Sequence, residues 1–211
     1  MNQWISQVFS HEELLGMGHD QSVEDLNLGL GWLYYGFARV VRPQTVVVIG
    51  SYRGFTPLVF GKALADNGDG GRVCFIDPSM VDDHWQDEDR VRGYFADFGL
   101  ENVDHHLMTT QDFVVSDPNE RLGEVGILFV DGWHTAEQAR FDYEAFRDRI
   151  PADGMTLFHD SVRSKRSRMY GPDNEYDHTV FHYMDELKKD PALQVLDVPF
   201  GDGVTVVRTV G

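Results

Sequence analysis

The sequence has a single cysteine and no apolar run long enough to cross a membrane. Cys74 has no partner for a disulfide within the chain, and its position in an apolar run predicts a buried side chain. A membrane-spanning helix needs about 18 uninterrupted apolar residues, which no segment supplies. The first residues lack the basic start and apolar stretch of a secretory signal. We therefore expect a soluble cytoplasmic protein without a membrane partner.

Basic residues are also scarce. The 211 residues include 18 lysines and arginines against 35 aspartates and glutamates, which gives a formal net charge of -17. A field of this sign repels phosphate backbones, so we expect no nucleic acid as substrate or partner. A single domain is expected over residues 1–211, because domains commonly reach about 200 residues. Residues 1–42 would form a helical segment before the first strand.

Strand and helix patterns alternate along most of the chain. Apolar residues at helical spacing predict a helix over residues 23–41, and the β-branched run Thr45–Ile49 predicts a buried parallel strand. Later segments continue the alternation, with strands at 73–76, 106–108, 126–130 and 155–158 and helices at 58–64, 90–98, 136–150 and 180–187. The last two strands, 193–198 and 204–210, are joined by a short turn and must pair antiparallel. The pattern predicts an α/β fold: a doubly wound, mainly parallel seven-stranded sheet with a C-terminal antiparallel hairpin.

The ends of the first two strands predict a cofactor site, because open α/β sheets bind ligands beyond the carboxyl ends of their strands. Gly50 and Gly54 lie in the turn from the first strand into a helix. The free N–H groups at the start of this helix suit a carboxylate. Asp77 ends the second strand, where its carboxylate can accept hydrogen bonds from both hydroxyls of a ribose. A nucleoside-containing cofactor is therefore expected. The turn lacks the glycines of a dinucleotide fingerprint and the Gly-Lys pair of a phosphate-binding loop, which disfavours NAD, ATP and GTP.

The fourth and fifth strands end in polar residues that predict an acceptor site. Asp131 and His134 follow the fourth strand, and His159 and Asp160 follow the fifth. Carboxylates there can hold Mg²⁺ or a similar ion, which would lower the pKa of an acceptor hydroxyl. Alternatively, His134 or His159 is a general base without a metal, or the two aspartates only cap neighbouring helices.

Other polar residues give weaker signals. The loop 162–177 is locally basic through Arg163, Lys165, Arg166 and Arg168, which fits either contact with an acidic acceptor or a solvated segment. His178, beside Asp177, is a weaker candidate for substrate contact. His19 and the remaining histidines have no context that singles them out, and surface or core packing is expected for them.

Several segments together resemble the class I S-adenosylmethionine-dependent methyltransferases, and within them the small-molecule O-methyltransferases. The resemblance extends over about residues 22–210. It is carried by VVVIGSYRGFT, VCFIDPS, ILFVDGWHTAEQARFDYEAF, PADGMTLFHDS and GVTVVRT. It implies a Rossmann-like methyltransferase fold and transfer of a methyl group from S-adenosylmethionine to an oxygen of a small-molecule acceptor.

The resemblance also assigns roles to individual residues. It implies contacts to the cofactor from Gly50, Ser51 and Gly54 at the methionine part, Asp77 at the ribose, Thr110, Gln111 and Asp112 at the adenine, and from Asp131. In metal-dependent members the positions of Asp131, His159 and Asp160 carry acidic ligands, which implies Mg²⁺ or Mn²⁺ here. His159 departs from that acidic pattern, and imidazole suits Mn, Fe or Zn better than Mg.

Two other functions remain open. Val48 stands where the family usually has an acidic residue, which allows a cofactor-binding module without turnover. The same scaffold also supports other tailoring reactions, because a fold does not fix its chemistry. The chain is compatible with a homodimer, as are many compact enzymes.

Overall fold

The computed structural model describes residues 1–210, which form a seven-stranded sheet with helices on both faces. The strands are β1 (Thr45–Ile49), β2 (Arg72–Ile76), β3 (Val103–His106), β4 (Ile127–Val130), β5 (Met155–His159), β6 (Arg166–Ser167), β7 (Tyr176–Asp177), β8 (Leu193–Val198) and β9 (Val204–Thr209). The helices are α1 (Asn2–Phe9), α2 (Gly31–Val41), α3 (Phe55–Asn67), α4 (Glu88–Asp97), α5 (Thr110–Phe113), α6 (Asp117–Arg121), α7 (Ala136–Phe146) and α8 (Val180–Leu187). None of these helices combines the length and apolar content that crossing a membrane requires.

The main sheet has the strand order β3-β2-β1-β4-β5-β9-β8. Strands β1 to β5 pair parallel, whereas β9 runs antiparallel to both β5 and β8. Strands β6 and β7 form a separate two-stranded sheet. The predicted doubly wound sheet with its C-terminal hairpin is confirmed. The order reverses between β1 and β4, which opens a crevice at their carboxyl ends.

The apolar run of β1 is continuous because both faces of the strand are buried. Val46 and Val48 pack into one hydrophobic cluster, with the aromatic side chains of α1, α2 and α3. Val47 and Ile49 point the other way and pack into a second cluster, beneath α7 and α8. Successive side chains of a strand alternate between faces, so each cluster receives every second residue of β1.

The amino-terminal segment differs from the sequence prediction at residues 23–30. Residues 2–9 form an amphipathic helix, α1, whose Trp4, Ile5, Val8 and Phe9 are buried in the core. The helix predicted over residues 23–41 begins only at Gly31. Before it, Leu26 adopts a left-handed φ of +52° between Ser22 and Asn27, which form an isolated bridge. A left-handed residue of this kind interrupts a helix, so the prediction was wrong for residues 23–30.

The third strand also lies earlier than predicted. Residues 106–108 were expected to form it, but the strand covers Val103–His106 and the chain turns at Met108, whose N–H donates to the carbonyl of His106. Pairing with β2 decides the position, because β2 aligns Val73 with Val103 and Ile76 with His106. The apolar residues that follow this strand therefore look like part of it when only the sequence is considered.

Phe60 gives a direct test of the packing on this side of the sheet. Its side chain is fully buried, with ring centroids 5.9 Å from Tyr34 and 5.8 Å from Phe129. We expect Phe60→Ala to lower the free energy of unfolding by about 3–5 kcal/mol, because the truncation leaves a cavity. Phe200→Ala makes the same change at a side chain that is 59% exposed, and should cost less than about 0.5 kcal/mol. Urea denaturation measures both, and equal losses would contradict this packing.

Candidate active site

A cavity of about 400 Å³ opens at the carboxyl ends of β1, β2, β4 and β5. It lies at the reversal of strand order, where open α/β sheets bind ligands. Most of the predicted site residues line it: Gly50, Ser51, Asp77, Thr110, Gln111, Asp131, His134, His159 and Asp160. The structure therefore brings the residues expected for the cofactor and those expected for the acceptor to one place.

Gly50 ends β1 in a conformation that depends on the absence of a side chain. Its φ is +70°, and a Cβ atom there would lie 2.3 Å from the carbonyl oxygen of Asp131. The amide N–H of Asp131 donates in turn to the carbonyl of Ile49. Glycine at this position lets the ends of β1 and β4 approach each other, so that the cofactor turn and the acceptor residues share a wall.

Asp77 fixes the turn that follows β1. Its Oδ2 accepts from the backbone N–H of Ser51 at 3.1 Å, and its Oδ1 accepts from that of Ser79 at 2.7 Å. Burial raises the pKa of Asp77, although these two backbone hydrogen bonds oppose the shift. Each carboxylate oxygen has a second lone pair, so Asp77 can still accept from a ligand in the cavity.

Two predicted cofactor contacts, Gly54 and Asp112, do not line the cavity. A Cβ atom on Gly54 would lie 2.7 Å from the ring of Trp85, so this glycine faces aromatic packing beside α4. The exposed carboxylate of Asp112 accepts from Thr109 Oγ1 at 2.7 Å, while Thr109 caps α5. Thr110 and Gln111 keep the predicted place beside the cavity. Gly54 and Asp112 thus lie outside the cavity lining, in local packing and a helix cap, and their contacts to the cofactor stay predictions.

Asp142 is a cavity residue that sequence reasoning did not identify. It lies on α7 and is 1% exposed, with Oδ1 accepting from Gln138 Nε2 at 2.8 Å. Its Oδ2 has no hydrogen-bond partner. Gln111 donates to Gln138 at 2.9 Å, which links the predicted adenine contact to Asp142. Burial raises the pKa of Asp142 to about 6. The signal in the sequence that could have identified Asp142 is its position next to the apolar stripe of α7.

The predicted acceptor residues form one cluster at the ends of β4 and β5. His159 Nδ1 lies 2.9 Å from Asp131 Oδ1 and 3.3 Å from Asp160 Oδ1, without the alignment of a hydrogen bond to either. His134 Nε2 lies 3.8 Å from Asp131 Oδ1 and 3.9 Å from Asp160 Oδ2. Asp160 adopts a left-handed φ of +50°. Such strain in a non-glycine residue is concentrated at functional sites.

Two further histidines complete this cluster. His19 comes from the segment between α1 and α2, and its Nε2 lies 3.2 Å from His159 Nε2. His178 is 2% exposed, and its Nδ1 lies 3.4 Å from Asp160 Oδ2. Neither ring nitrogen of His178 has a hydrogen-bond partner. His19 and His159 are 140 residues apart in the chain, so no local pattern could join them.

The cluster separates charged from neutral imidazoles. Burial alone would lower the pKa of His159, but the charges of Asp131 and Asp160 outweigh it and raise that pKa to about 9. Burial lowers the pKa of His134 to about 4, because the same carboxylates are farther away. Burial and the charge of His159 lower the pKa of His19. At neutral pH the cluster therefore contains one imidazolium, His159, beside neutral His134 and His19.

Lys165 is the basic residue of the loop between β5 and α8 that lines the cavity. Two arginines of this loop pair within it, Arg166 with Asp177 at 3.1 Å and Arg168 with Glu175 at 2.5 Å. Lys165 lines the cavity, with Nζ 3.9 Å from Asp160 Oδ2 and 2.6 Å from Asp202 Oδ2. An acidic acceptor would therefore meet one cation of this loop, and that cation already has acidic partners.

Aromatic side chains form another part of the wall. Trp133 stacks on Tyr170 and on Tyr176, with ring centroids 4.7 Å apart in both pairs. Trp133 and Tyr170 line the cavity. Stacked aromatic faces suit planar or apolar ligand groups. The cavity wall thus has an aromatic part in addition to its charged cluster.

Comparisons with known proteins agree with this architecture. A family model described as a methyltransferase domain matches residues 47–161, more than half of the chain. A comparison with curated protein sequences found no match. An O-methyltransferase from Bacillus cereus in complex with S-adenosylhomocysteine is 15% identical, with a TM-score of 0.69 over 99% of this chain and 91% of its own. The S-adenosylhomocysteine-bound methyltransferase PaMTH1 of Podospora anserina is 17% identical, with a TM-score of 0.64 over 99% and 87%. A methyltransferase from Geobacter sulfurreducens is 20% identical, with a TM-score of 0.60 over 86% and 79%.

This chain belongs to the methyltransferase domain family, since the family model covers both the turn after β1 and the ends of β4 and β5. Its fold is that of the class I S-adenosylmethionine-dependent methyltransferases, as the resemblance of its motifs implied.

The buried carboxyl group of Asp142 predicts a pH-dependent stability. Its pKa is about 6 in the folded chain, compared with about 3.9 in an unfolded chain. The folded state binds this proton more tightly, so stability falls by about 2–3 kcal/mol as the pH rises from 4 to 7. Asp142→Asn removes that loss, because an amide does not ionise. We expect the stability of the variant relative to wild type to rise by this amount between pH 4 and pH 7.

Urea denaturation at both pH values measures the difference. Asp148→Asn is the matched control, because the side chain of Asp148 is 92% exposed and should give no such pH-dependent difference. An Asp142→Asn difference that is the same at both pH values would contradict the assigned pKa.

Proposed function

We propose that this chain transfers the methyl group of S-adenosylmethionine to an oxygen of a small-molecule acceptor. The observation that carries the proposal is the shared cavity at the ends of β1, β2, β4 and β5. One side of it has the glycine turn and the buried carboxylate that suit a nucleoside. The other side has the histidines and aspartates that suit a hydroxyl group and its proton.

The cofactor would bind between the turn after β1 and the start of α5. Ser51 and Asp77 hold the turn in place, and Asp77 retains lone pairs for the ribose hydroxyls. The sulfonium group of bound S-adenosylmethionine supplies an electrophilic methyl group. Thr110, Gln111 and the linked Asp142 border the same cavity. The names of similar structures support this cofactor, since the proteins from Bacillus cereus and Podospora anserina are described with its demethylated product bound.

The acceptor hydroxyl would lose its proton within the histidine cluster. His134 is neutral and lines the cavity, which suits a general base. His159 carries a proton at neutral pH and therefore suits charge stabilisation better than proton removal. The cluster also fits a divalent ion, because Asp160 Oδ1 is buried beside His159 without a hydrogen-bond partner. A bound ion would supply a Lewis acid that lowers the pKa of the hydroxyl.

Oxygen as the accepting atom is supported by the cluster and by the O-methyltransferase from Bacillus cereus among the similar structures. A hydroxyl has to lose its proton during transfer, and the cavity offers neutral imidazoles for this step. The stacked Trp133 and Tyr170 favour an acceptor with a planar or apolar part.

Cofactor affinity tests the role of Asp77. We expect Asp77→Ala to weaken binding of S-adenosylhomocysteine by about 10- to 100-fold, because hydrogen bonds to a charged group contribute about 1.5–3 kcal/mol. Asp148→Ala, at an exposed carboxylate outside the cavity, should leave the affinity unchanged. Calorimetric titration measures both, with circular dichroism to check folding. Equal losses in the two variants, or no binding by the wild type, would contradict the proposed cofactor site.

The chemistry itself can be tested with matched acceptors. The wild type is incubated with S-adenosylmethionine and three sets of small aromatic molecules that differ in a hydroxyl, an amine or a thiol. We expect S-adenosylhomocysteine and a methyl ether to form only with hydroxyl acceptors, detected by mass spectrometry. His134→Ala should lower the rate by about 100-fold or more, the range of general base catalysis. Methylation of the amine or thiol set in preference to the hydroxyl set would contradict the proposal.

A further inference from the structure

We infer that the cavity holds a first-row transition-metal ion through His19, His159 and Asp160, and that Asp131 supports His159 instead of binding the ion. This set differs from the Asp131, His159 and Asp160 ligands expected from the sequence. The role of the ion in the reaction rests on the proposed function, whereas the binding of the ion does not.

The spacing of the three side chains fits one ion. One ligand atom from each of His19, His159 and Asp160 lies within 4.8 Å of the others. The two Nε2 atoms are 3.2 Å apart. Two imidazole nitrogens at about 2.0–2.1 Å from a common ion are roughly 2.8–3.4 Å apart at octahedral or tetrahedral angles. The described residues contain no such group that includes Asp131.

The surroundings of His159 support the same assignment. Its Nδ1 faces Asp131 Oδ1 at 2.9 Å, which leaves Nε2 directed at His19. A metal-bound imidazole usually has its other nitrogen against a carboxylate, which orients the ring and strengthens the ligand. Asp160 is 6% exposed, and its Oδ1 has no hydrogen-bond partner. An unpartnered buried oxygen at the cavity wall is accounted for when an ion binds it.

The backbone holds His19 in a costly conformation next to the cavity. His19 and Asp20 both adopt a left-handed φ of +44°. The ring of His19 lies against Gly201, where a Cβ atom would come within 2.6 Å of it. Left-handed non-glycine residues are strained, and such strain is concentrated where the position of a side chain serves binding.

A second group of possible ligands shares Asp160 but is less suitable. His134, Asp160 and His178 also offer atoms within 4.8 Å of one another. Each of these histidines approaches Asp160 at its Oδ2 atom, and Lys165 Nζ is 3.9 Å from the same oxygen. Asp160 Oδ2 is therefore already near an ammonium group, whereas Asp160 Oδ1 has no hydrogen-bond partner. His178 does not line the cavity, whereas His19, His159 and Asp160 all do.

The donor atoms determine the class of ion. Mg²⁺ prefers oxygen ligands and retains several waters, whereas imidazole suits Mn²⁺, Fe²⁺, Co²⁺ and Zn²⁺. Two imidazoles and one carboxylate leave open positions on the side of the cavity. We therefore expect Co²⁺ and Zn²⁺ to bind at least about 100-fold more tightly than Mg²⁺, in line with the order of affinities for nitrogen sites.

Metal titration of the chelator-treated full-length protein tests the inference without an acceptor. Zn²⁺ and Co²⁺ are titrated by calorimetry, and the Co²⁺ complex is followed by its visible absorption. We expect the wild type to bind one equivalent of the ion. His19→Ala and His19→Gln should each weaken this binding by about 100-fold, and Asp131→Asn should weaken it by about 10-fold or more. His178→Ala, which removes a histidine of the second group beside Asp160, should weaken binding by no more than about 10-fold, and His182→Ala, at an exposed histidine, is the matched control.

Binding of S-adenosylhomocysteine to the same variants separates this inference from the proposed function. His19→Gln should bind it as the wild type does, because His19 lies on the acceptor side. No binding of Zn²⁺ or Co²⁺ by the wild type would overturn the inference, as would loss of the ion in His178→Ala with retention in His19→Gln. Either result alongside intact S-adenosylhomocysteine binding would leave the methyltransferase proposal standing.

Discussion

The close approach of Gly50 to the carbonyl of Asp131 is the contact on which the arrangement of the site depends. It lets β1 and β4 end side by side at the reversal of strand order. A side chain at Gly50 would push the two strand ends apart, because its Cβ atom would overlap the backbone of Asp131. The turn held by Asp77 and the cluster around His159 then could not face one cavity. A backbone contact thus determines whether the two halves of the site can act on neighbouring atoms.

Around this contact the structure buries charge in compensating groups. Asp131 and Asp160 enclose His159 and keep it protonated, whereas His134 and His19 stay neutral under burial. Removing one member of such a group would leave an uncompensated charge, which is more costly than the pair was favourable. The cluster therefore determines the protonation states of its histidines as well as their positions. Asp142, which lines the same cavity, has no such charged partner, and burial raises its pKa instead.

The sequence predicted those parts of the fold that depend on local periodicity. Strand β8 and helix α8 have the predicted bounds, because their apolar spacing and turns are clear. The prediction was wrong at residues 23–30, where Leu26 takes a left-handed conformation that apolar spacing does not reveal. Gly54 and Asp112 match a motif by position, and the structure places them in local packing and a helix cap outside the cavity lining. His19 could not be predicted, since a distant chain segment brings it to His159.

The position of His19 also has a consequence for how the chain folds. Its contacts join the segment after α1 to the end of β5 and to the turn before β9, which are made much later in the sequence. Contacts of such long sequence separation cost the most loop-closure entropy, and they form late on average. The parallel core of β1, β2 and β4 can assemble before His19 reaches its place. The cavity is therefore completed only when the segment with His19 meets the end of β5 and the turn before β9. A partly made chain has the parallel core of the sheet but not the finished site.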